Sequence, residues 1–200
     1  VAPVDATDEV TMAAMRDRLG LDLEGFEAGD HLADLNNIAS PLQGMRDVFD
    51  LMPSATAEHW AAIAARMSAL PEALGQYAAT LREGARTGRL PARRQVELGI
   101  AEAGGLADAA ASFFSAFAAT ARPDGAAPSD ALAADLVRGV RDAREGYADL
   151  ARFLREELAP HAPDADAVGR DRYQRASRAF VGATIDLDET YAWGVDELAR

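Results

Sequence analysis

The chain has 200 residues, a formal net charge of −13 and no cysteine, which excludes disulfides, thiolate catalysis and cysteine-based zinc sites. Such an acidic chain repels phosphate backbones, so we expect no nucleic-acid partner. Hydrophobic residues make up 49% of the sequence and aromatic residues only 6%. Abundant alanine, leucine, glutamate and arginine favour helices, because these side chains lose little rotamer freedom there. The expected fold class is all-α.

The N-terminal third of the chain contains several helix-start signals. The first predicted helix begins at 7–9, where a threonine cap precedes two acids, and ends at Gly20. Another begins with Ser40 as the cap and Pro41 in the first turn. Thr56 caps a third helix. Pro71 indicates the start of a fourth, because proline is tolerated in the first helical turn and disrupts a helix interior.

A long antiparallel helical hairpin is the predicted centre of a multi-helix array. Its arms are residues 90–121 and 129–159, in which apolar side chains recur every three or four positions and therefore form one stripe on each helix. The short break between the arms contains proline and glycine, which makes each arm the nearest partner of the other. Gly104 and Gly105 interrupt the first arm and indicate a close approach between helices.

The C-terminal part is expected to hold an internal linker, residues 160–168, followed by helices over 170–181 and 186–198. We expect a single α-helical domain over residues 1–200. The chain begins without a charged segment followed by an apolar one, so we expect no signal peptide in it, and no apolar run approaches ~18 residues, so we expect no membrane span and favour a cytoplasmic location. A start without methionine and an end at Arg200 without a stop signal lead us to expect a piece of a longer protein.

The residue patterns of common catalytic and metal sites are absent. None of the three histidines, His31, His59 and His161, belongs to a His-Glu-x-x-His pair. The acidic stretches that begin at Asp164 and Asp186 fail the positional requirements of a calcium loop. Glycine-rich phosphate loops and the Gly-x-Ser-x-Gly turn are also missing. We therefore predict no catalytic, cofactor-binding or metal-ligating residue in this chain.

One group of residues near the C-terminus is a candidate for a cleft or a domain interface. Aromatic side chains lie near acidic ones there and could line a polar cleft, although aromatic residues on helices more often belong to a core. The candidates are Tyr173, Asp186, Asp188, Glu189, Tyr191 and Trp193.

Three segments, taken in order, resemble a known family. They are 35–43 (Leu-Asn-Asn-Ile-Ala-Ser-Pro-Leu-Gln) running into 49–53, then 60–74, and finally 169–194, which contains Asp-Leu-Asp-Glu-Thr-Tyr. The Arg-Arg-Gln-Val stretch at 93–96 fits as well. In this order the segments are similar to the N-terminal part of the bacterial domain-of-unknown-function 885 family, and the resemblance covers nearly the whole chain.

The resemblance implies a mostly helical protein that is longer than this chain and similar in plan to zinc metallopeptidases of the gluzincin and carboxypeptidase type. Its zinc motif, of the His-Glu-x-x-x-x-His-His type, lies downstream of the matching segments. Zinc is therefore expected only in a C-terminal part, and no catalytic residue carries over to this chain. The implied partners are that catalytic domain in cis and a peptide substrate.

Two functions follow from these observations. In the first, the chain is the helical cap, or a wall of the substrate cleft, of a zinc-dependent peptidase-like hydrolase, and is inactive by itself. In the second, it is a stand-alone α-helical binding or scaffold module.

Overall fold

A computed structural model describes residues 2–200, which form eight α-helices and, within that range, no strand. The predicted all-α fold class is confirmed. The helices are α1 (Ala6–Ala28), α2 (Pro41–Leu51), α3 (Ala57–Arg86), α4 (Arg93–Ala107), α5 (Phe113–Ala119), α6 (Asp130–Phe153), α7 (Arg170–Val181) and α8 (Leu187–Leu198).

The helices divide into two compact units. Unit 1 comprises residues 1–31 and 167–200, with α1, α7 and α8, and unit 2 comprises residues 32–166, with α2 to α6. Unit 2 holds the apolar core. Its largest fully buried side chains include Phe49, Ile63, Met67, Phe114 and Tyr147.

The centre of unit 2 is a parallel pair of long helices, α3 and α6. Gly139 lies against Ala64, and a Cβ added to it would come within 2.8 Å of the Ala64 carbonyl oxygen. Further along, Gly146 lies against Pro71, and an added Cβ would be 3.0 Å from its Cα. Residue numbers rise in both helices from the first contact to the second, so α3 and α6 run parallel. The two glycines allow the helix backbones to approach closely.

The predicted helix start at Pro71 is wrong, because α3 runs through this residue from Ala57 to Arg86. An interior proline removes one hydrogen bond and costs roughly 3 kcal/mol. The helix continues because apolar side chains on both sides of Pro71 are buried against neighbouring elements. Met67, Leu70 and Leu74 are each at most 4% exposed.

The first arm of the predicted hairpin is not one helix. It consists of α4 and α5, separated by a turn over 108–112 in which the Asp108 carboxylate accepts hydrogen bonds from the backbone N–H groups of Ala110 and Ala111. Helix α4 runs antiparallel to α6: Gly99 lies beside Leu154, and Arg144 Nε donates to the Ala107 carbonyl at 3.1 Å. The other helix packed along α6, however, is α3, which the hairpin prediction left out.

Gly104 and Gly105 do not mark a close helix approach, and this prediction is wrong. A Cβ added at either position would meet no atom within 4 Å, apart from its chain neighbours and its own helix backbone. Both residues are exposed in the last turns of α4. The close helix approaches occur instead at Gly139 and Gly146, which the periodicity of the apolar residues did not distinguish.

The C-terminal end of α6 widens into a π-helical turn at Leu154–Leu158 and then tightens into a 3₁₀ turn at Ala159–His161. The Arg93 guanidinium caps this end, because it donates to the carbonyl oxygens of Ala159 at 2.8 Å and Ala162 at 2.9 Å. Carbonyl groups at a helix end lack helical partners, so an arginine in this place satisfies two of them.

Unit 1 consists of α1, α7 and α8. The predicted end of the first helix at Gly20 is wrong: α1 continues to Ala28 and ends where Gly29 adopts a left-handed φ of 76°. Helix α7 ends in the same way at Gly182, also with a φ of 76°. Glycine adopts this conformation without a Cβ clash, which is why these two positions terminate helices.

Candidate functional site

The six residues predicted to line a cleft or an interface all lie in unit 1. Tyr173 is in the first turn of α7, Asp186 is the N-cap of α8, and the other four lie within α8. Each of the six side chains is exposed. They lie on one segment that comprises α7, the following turn and α8.

The acidic members of the group organise the start of α8. The Asp186 carboxylate accepts hydrogen bonds from the backbone N–H groups of Asp188 and Glu189, at 2.9 and 3.0 Å. These two bonds hold the pKa of Asp186 below its ordinary value, because they favour the charged carboxylate. Arg170 Nη2 donates to Asp188 at 2.6 Å, which joins the beginnings of α7 and α8. The carboxylates of Asp186 and Asp188 thus have structural partners.

The aromatic members expose their rings. Tyr191 is 76% exposed and Trp193 is 64% exposed. Tyr191 and Trp193 are two residues apart in the sequence, which corresponds to a rotation of about 200° around the helix axis. Their rings therefore point to opposite sides of α8. Tyr191 shares its side with Val195 and Leu198, at steps of four and three residues, and both of those side chains are exposed too.

Exposed apolar side chains occur on all three helices of unit 1. None of α1, α7 and α8 contains a buried residue. We call the exposed apolar side chains of these helices the apolar surface of unit 1. It comprises Val10, Met15, Leu19, Leu23 and Phe26 on α1; Tyr173, Phe180 and Val181 on α7; and Tyr191, Trp193, Val195 and Leu198 on α8.

Sequence reasoning found only three of these apolar residues as site candidates. The others follow the same helical spacing that identified the core stripes of α3 and α6. Leu19, Leu23 and Phe26, for example, are spaced by four and three residues along α1. This spacing indicates a face that needs cover, but does not say what covers it.

Unit 2 contains a polar loop over residues 36–40 that runs into the first turn of α2, and this stretch includes the Asn-Asn and Ser-Pro pairs. The Gln43 side-chain oxygen accepts from the Ser40 backbone N–H at 2.9 Å and from the Ser40 hydroxyl at 2.7 Å. Its amide nitrogen donates to the Asn36 carbonyl at 3.0 Å and to Glu102 Oε2 at 2.6 Å. Both hydrogens and both lone pairs of the buried amide are therefore used.

Other side chains form hydrogen bonds to this loop and to the residues on either side of it. Tyr77 and Tyr147 donate their hydroxyl hydrogens to the carbonyl oxygens of Asp34, at 2.6 Å, and Leu42, at 3.1 Å. Gln95 accepts from the Asn37 backbone N–H at 3.0 Å. Burial raises the pKa of both tyrosines, because a phenolate is poorly solvated in the core. They remain neutral hydrogen-bond donors at physiological pH.

An open cleft of about 900 Å³ lies beside this loop, where α2, α4 and α5 meet. Glu102, held by Gln43, lines it together with Arg46, Asp47 and Phe113. The Arg46 guanidinium lies 3.9 Å from the centre of the Phe113 ring and pairs with Asp47 at 3.0 Å. The cleft is therefore lined by carboxylates and by Arg46, whose positive charge is already paired with Asp47. The sequence analysis did not predict these residues. A glutamine three positions after a serine cap is typical of a capping box, and this pattern after Ser40 could have identified Gln43.

No group of three or more His, Asp or Glu side chains within residues 2–200 is arranged to hold a metal ion. The residues described here therefore do not fit the zinc that the family resemblance implies, and we derive no chemical step through zinc from them. Across the same residues, no helix combines the length and the apolar character required to cross a bilayer.

The chain matches, over residues 1–200, the family described as bacterial protein of unknown function (DUF885). Because the match covers the whole chain, the protein belongs to this family. No curated protein matches the sequence.

Proposed function

From this family membership and the exposed helices of unit 1, we propose that the chain is the N-terminal helical part of a zinc-dependent peptidase-like hydrolase. It forms a cap over the substrate cleft, or one wall of it, and carries no catalytic group of its own. Metal binding and attack by water belong to a catalytic domain of the same polypeptide, and the substrate is a peptide.

One observation carries this proposal: the apolar surface of unit 1 lies on three helices that bury no residue. Large apolar side chains that stay exposed on every helix of a unit indicate a place where another protein surface packs. Covering such a surface yields about 25 cal/mol per Å² of apolar area, so a domain that packs against it would be strongly favoured. Tyr173, Tyr191 and Trp193 combine large apolar rings with a polar atom, which is typical of residues at interfaces.

A helical cap serves hydrolysis by shaping the entry of substrate and by excluding bulk water from the reacting groups. Unit 2 offers a frame for this purpose, because the satisfied Gln43 amide holds the polar loop to the first turn of α2, and two tyrosine hydroxyls bind the backbone on either side of the loop, at Asp34 and Leu42. Unit 1 offers the apolar surface.

The proposal is tested on the native gene product, by measuring its intact mass, its zinc content and its peptidase activity beside those of the 200-residue chain. We expect a product much heavier than 21.2 kDa that holds zinc and cleaves peptides, while the 200-residue chain does neither. Stoichiometric zinc and peptidase activity in the 200-residue chain would overturn the proposal. A native product of 21.2 kDa would also overturn it, in favour of a stand-alone helical binding module.

A further inference from the structure

The chain passes between the two units twice, because unit 1 is built from both ends of the sequence. Both connections are bound to unit 2 at the first turn of α4. In the first connection, the Asn37 backbone N–H donates to Gln95 Oε1 at 3.0 Å. In the second, the Pro163 carbonyl oxygen accepts from the Arg93 backbone N–H at 2.8 Å. Unit 2 therefore holds both connections at the same end of one helix.

The first connection is held by burial. Ala33 and Leu35 are 4% and 3% exposed. The Leu32 carbonyl oxygen lies against Gly84 of α3, and a Cβ added to this glycine would be 2.1 Å from the oxygen. Apolar packing does not depend on ion pairs, so the first connection stays fixed when ion pairs break.

The second connection is held by charged groups. We call residues 163–169 the strap; all of them are exposed, and none belongs to a helix. Besides one backbone hydrogen bond, two ion pairs bind the strap to α4. Arg93 Nε pairs with Asp164 at 2.5 Å. Arg94 pairs with Asp166. The side chains of the two aspartates are 85% and 46% exposed, so both pairs lie at the protein surface.

Two surface ion pairs hold the strap only weakly. A pair of this kind changes an equilibrium constant about fivefold at most, and salt screens it. At its other end the strap reaches Gly169, whose left-handed φ of 85° directly precedes α7. Arg170 then pairs with Asp188 inside unit 1 at 2.6 Å. The part of the second connection that can change conformation is therefore confined to the strap.

We propose that the strap is a salt-sensitive latch. While the Arg93–Asp164 and Arg94–Asp166 pairs are formed, both connections are fixed to unit 2. When the pairs break, the strap leaves α4, and unit 1 turns about the buried first connection. The core of unit 2 stays intact, because none of these four residues belongs to it. The proposal does not rest on the proposed function, because neither a catalytic domain nor a substrate takes part.

The Arg93 backbone amide reports directly on the strap. As the first residue of α4 it has no acceptor within the helix, so the hydrogen bond to Pro163 protects it from exchange. The Val96 amide, whose hydrogen bond of 3.1 Å lies in the first turn of α4, is the internal control. In the double variant Asp164→Asn, Asp166→Asn, we expect exchange at Arg93 to accelerate about 3- to 25-fold at low salt, because both ion pairs are lost. Exchange at Val96 should not change.

Movement of unit 1 is measured by single-molecule energy transfer in the 200-residue chain with Val10→Cys and Leu51→Cys. The chain has no cysteine, so the two dyes attach only at these exposed positions, one in each unit. We expect a single energy-transfer population at low salt and a second population in the double variant. High salt should produce this second population in the unsubstituted chain too, because it screens the same pairs.

The matched control is Asp149→Asn, which removes a surface ion pair with Arg152 inside α6 and should change neither measurement. Unchanged exchange at Arg93 in the double variant would show that the ion pairs do not hold the strap, and equal acceleration at Val96 would show general fraying of α4. Faster exchange at Arg93 with a single energy-transfer population would show that the strap opens without releasing unit 1. Each of these three results would overturn the proposal.

Discussion

The two units of this protein are held together by different interactions. Unit 2 closes an apolar core in which Phe49, Ile63 and Met67 are at most 1% exposed. Unit 1 has no buried residue in its three helices and joins α1 to α7 by charged groups. Arg175 forms a bidentate pair with Asp30, at 2.7 and 2.8 Å, and Arg178 pairs with Glu24.

The difference shows which unit can be stable by itself. Apolar burial yields about 1.5–3 kcal/mol for each fully buried large side chain. The Arg175–Asp30 pair is partly buried, and ion pairs near the surface contribute only about 0–1 kcal/mol each and are screened by salt. Unit 2 therefore has the means to fold alone, whereas the three helices of unit 1 have no fully buried side chain to stabilise them. The following predictions probe that contrast, from the largest expected effect to the smallest.

Phe114→Ala should destabilise unit 2 by about 3–5 kcal/mol, because it opens a cavity in the core. Phe114 is fully buried, and its ring lies 5.5 Å from Phe49 and 5.7 Å from Tyr147. The matched variant in unit 1 is Phe180→Ala, at a side chain that is 92% exposed. It should change the free energy of unfolding by less than about 0.5 kcal/mol. Urea unfolding followed by circular dichroism measures the free energy of unfolding of both variants. Similar decreases in the two variants would contradict the proposed difference between the units.

Gly146→Ala should destabilise unit 2 by about 1–3 kcal/mol, because its new Cβ would lie 3.0 Å from the Pro71 Cα and force α3 and α6 apart. Gly104→Ala is the matched control within a helix of the same unit, with no atom within 4 Å of the added Cβ. It should stabilise the protein by about 0.5–1 kcal/mol. Thermal unfolding midpoints that shift in the same direction would contradict the assigned roles of the two glycines.

Arg175→Ala removes the bidentate pair with Asp30 and should cost about 1 kcal/mol or less, all of it in unit 1. Amide hydrogen exchange should accelerate in α1 and α7 and stay unchanged in α3 and α6. High salt should produce the same pattern in the unsubstituted chain, because it screens exposed pairs. Faster exchange in α6 would show that the effect is not confined to unit 1.

Acid should loosen the start of α8 through Asp186. Its pKa is lowered in the folded chain by hydrogen bonds from the Glu189 and Asp188 backbone, so its contribution is present above the ordinary pKa of 3.8 and is lost as the pH falls through the folded value. Amide exchange at Asp188 and Glu189, compared with intrinsic rates, should show this loss of protection in strong acid. Asp186→Asn keeps an acceptor that does not titrate at this pH. Amide protection in that variant should not depend on the protonation of residue 186. If protection in the variant is lost in acid as before, the loss is caused by the protonation of another group.

Local signals in the sequence predicted the starts of α2 and α3. Ser40 and Thr56 are N-caps, because a cap depends only on the residues of its own first turn. The predicted Thr7 cap of the first helix is wrong, because α1 begins at Ala6 and is capped by Asp5. Pro71 and Gly20 misled the prediction for the opposite reason. Whether a helix continues through either residue depends on packing and on the backbone conformation, and neither is encoded locally.

The candidate site was harder to predict. The contact between Gln43 and Glu102 joins residues 59 positions apart, and no local pattern connects them. Tyr191, Val195 and Leu198 have the same helical spacing as core residues of α6, such as Leu132 and Leu136. The first three are exposed and the last two are buried. Spacing thus identifies a face that needs cover, but the partner that supplies the cover lies outside the pattern.

The central claim, that the apolar surface of unit 1 is covered by another part of the same protein, is tested most directly by hydroxyl-radical footprinting of the two tryptophans. Trp193 is 64% exposed in this chain and Trp60 is 2% exposed, so Trp60 is the internal control. We predict that Trp193 is oxidised readily in the 200-residue chain and is protected in the native gene product, while Trp60 is protected in both. Equal oxidation of Trp193 in the two samples would contradict the account.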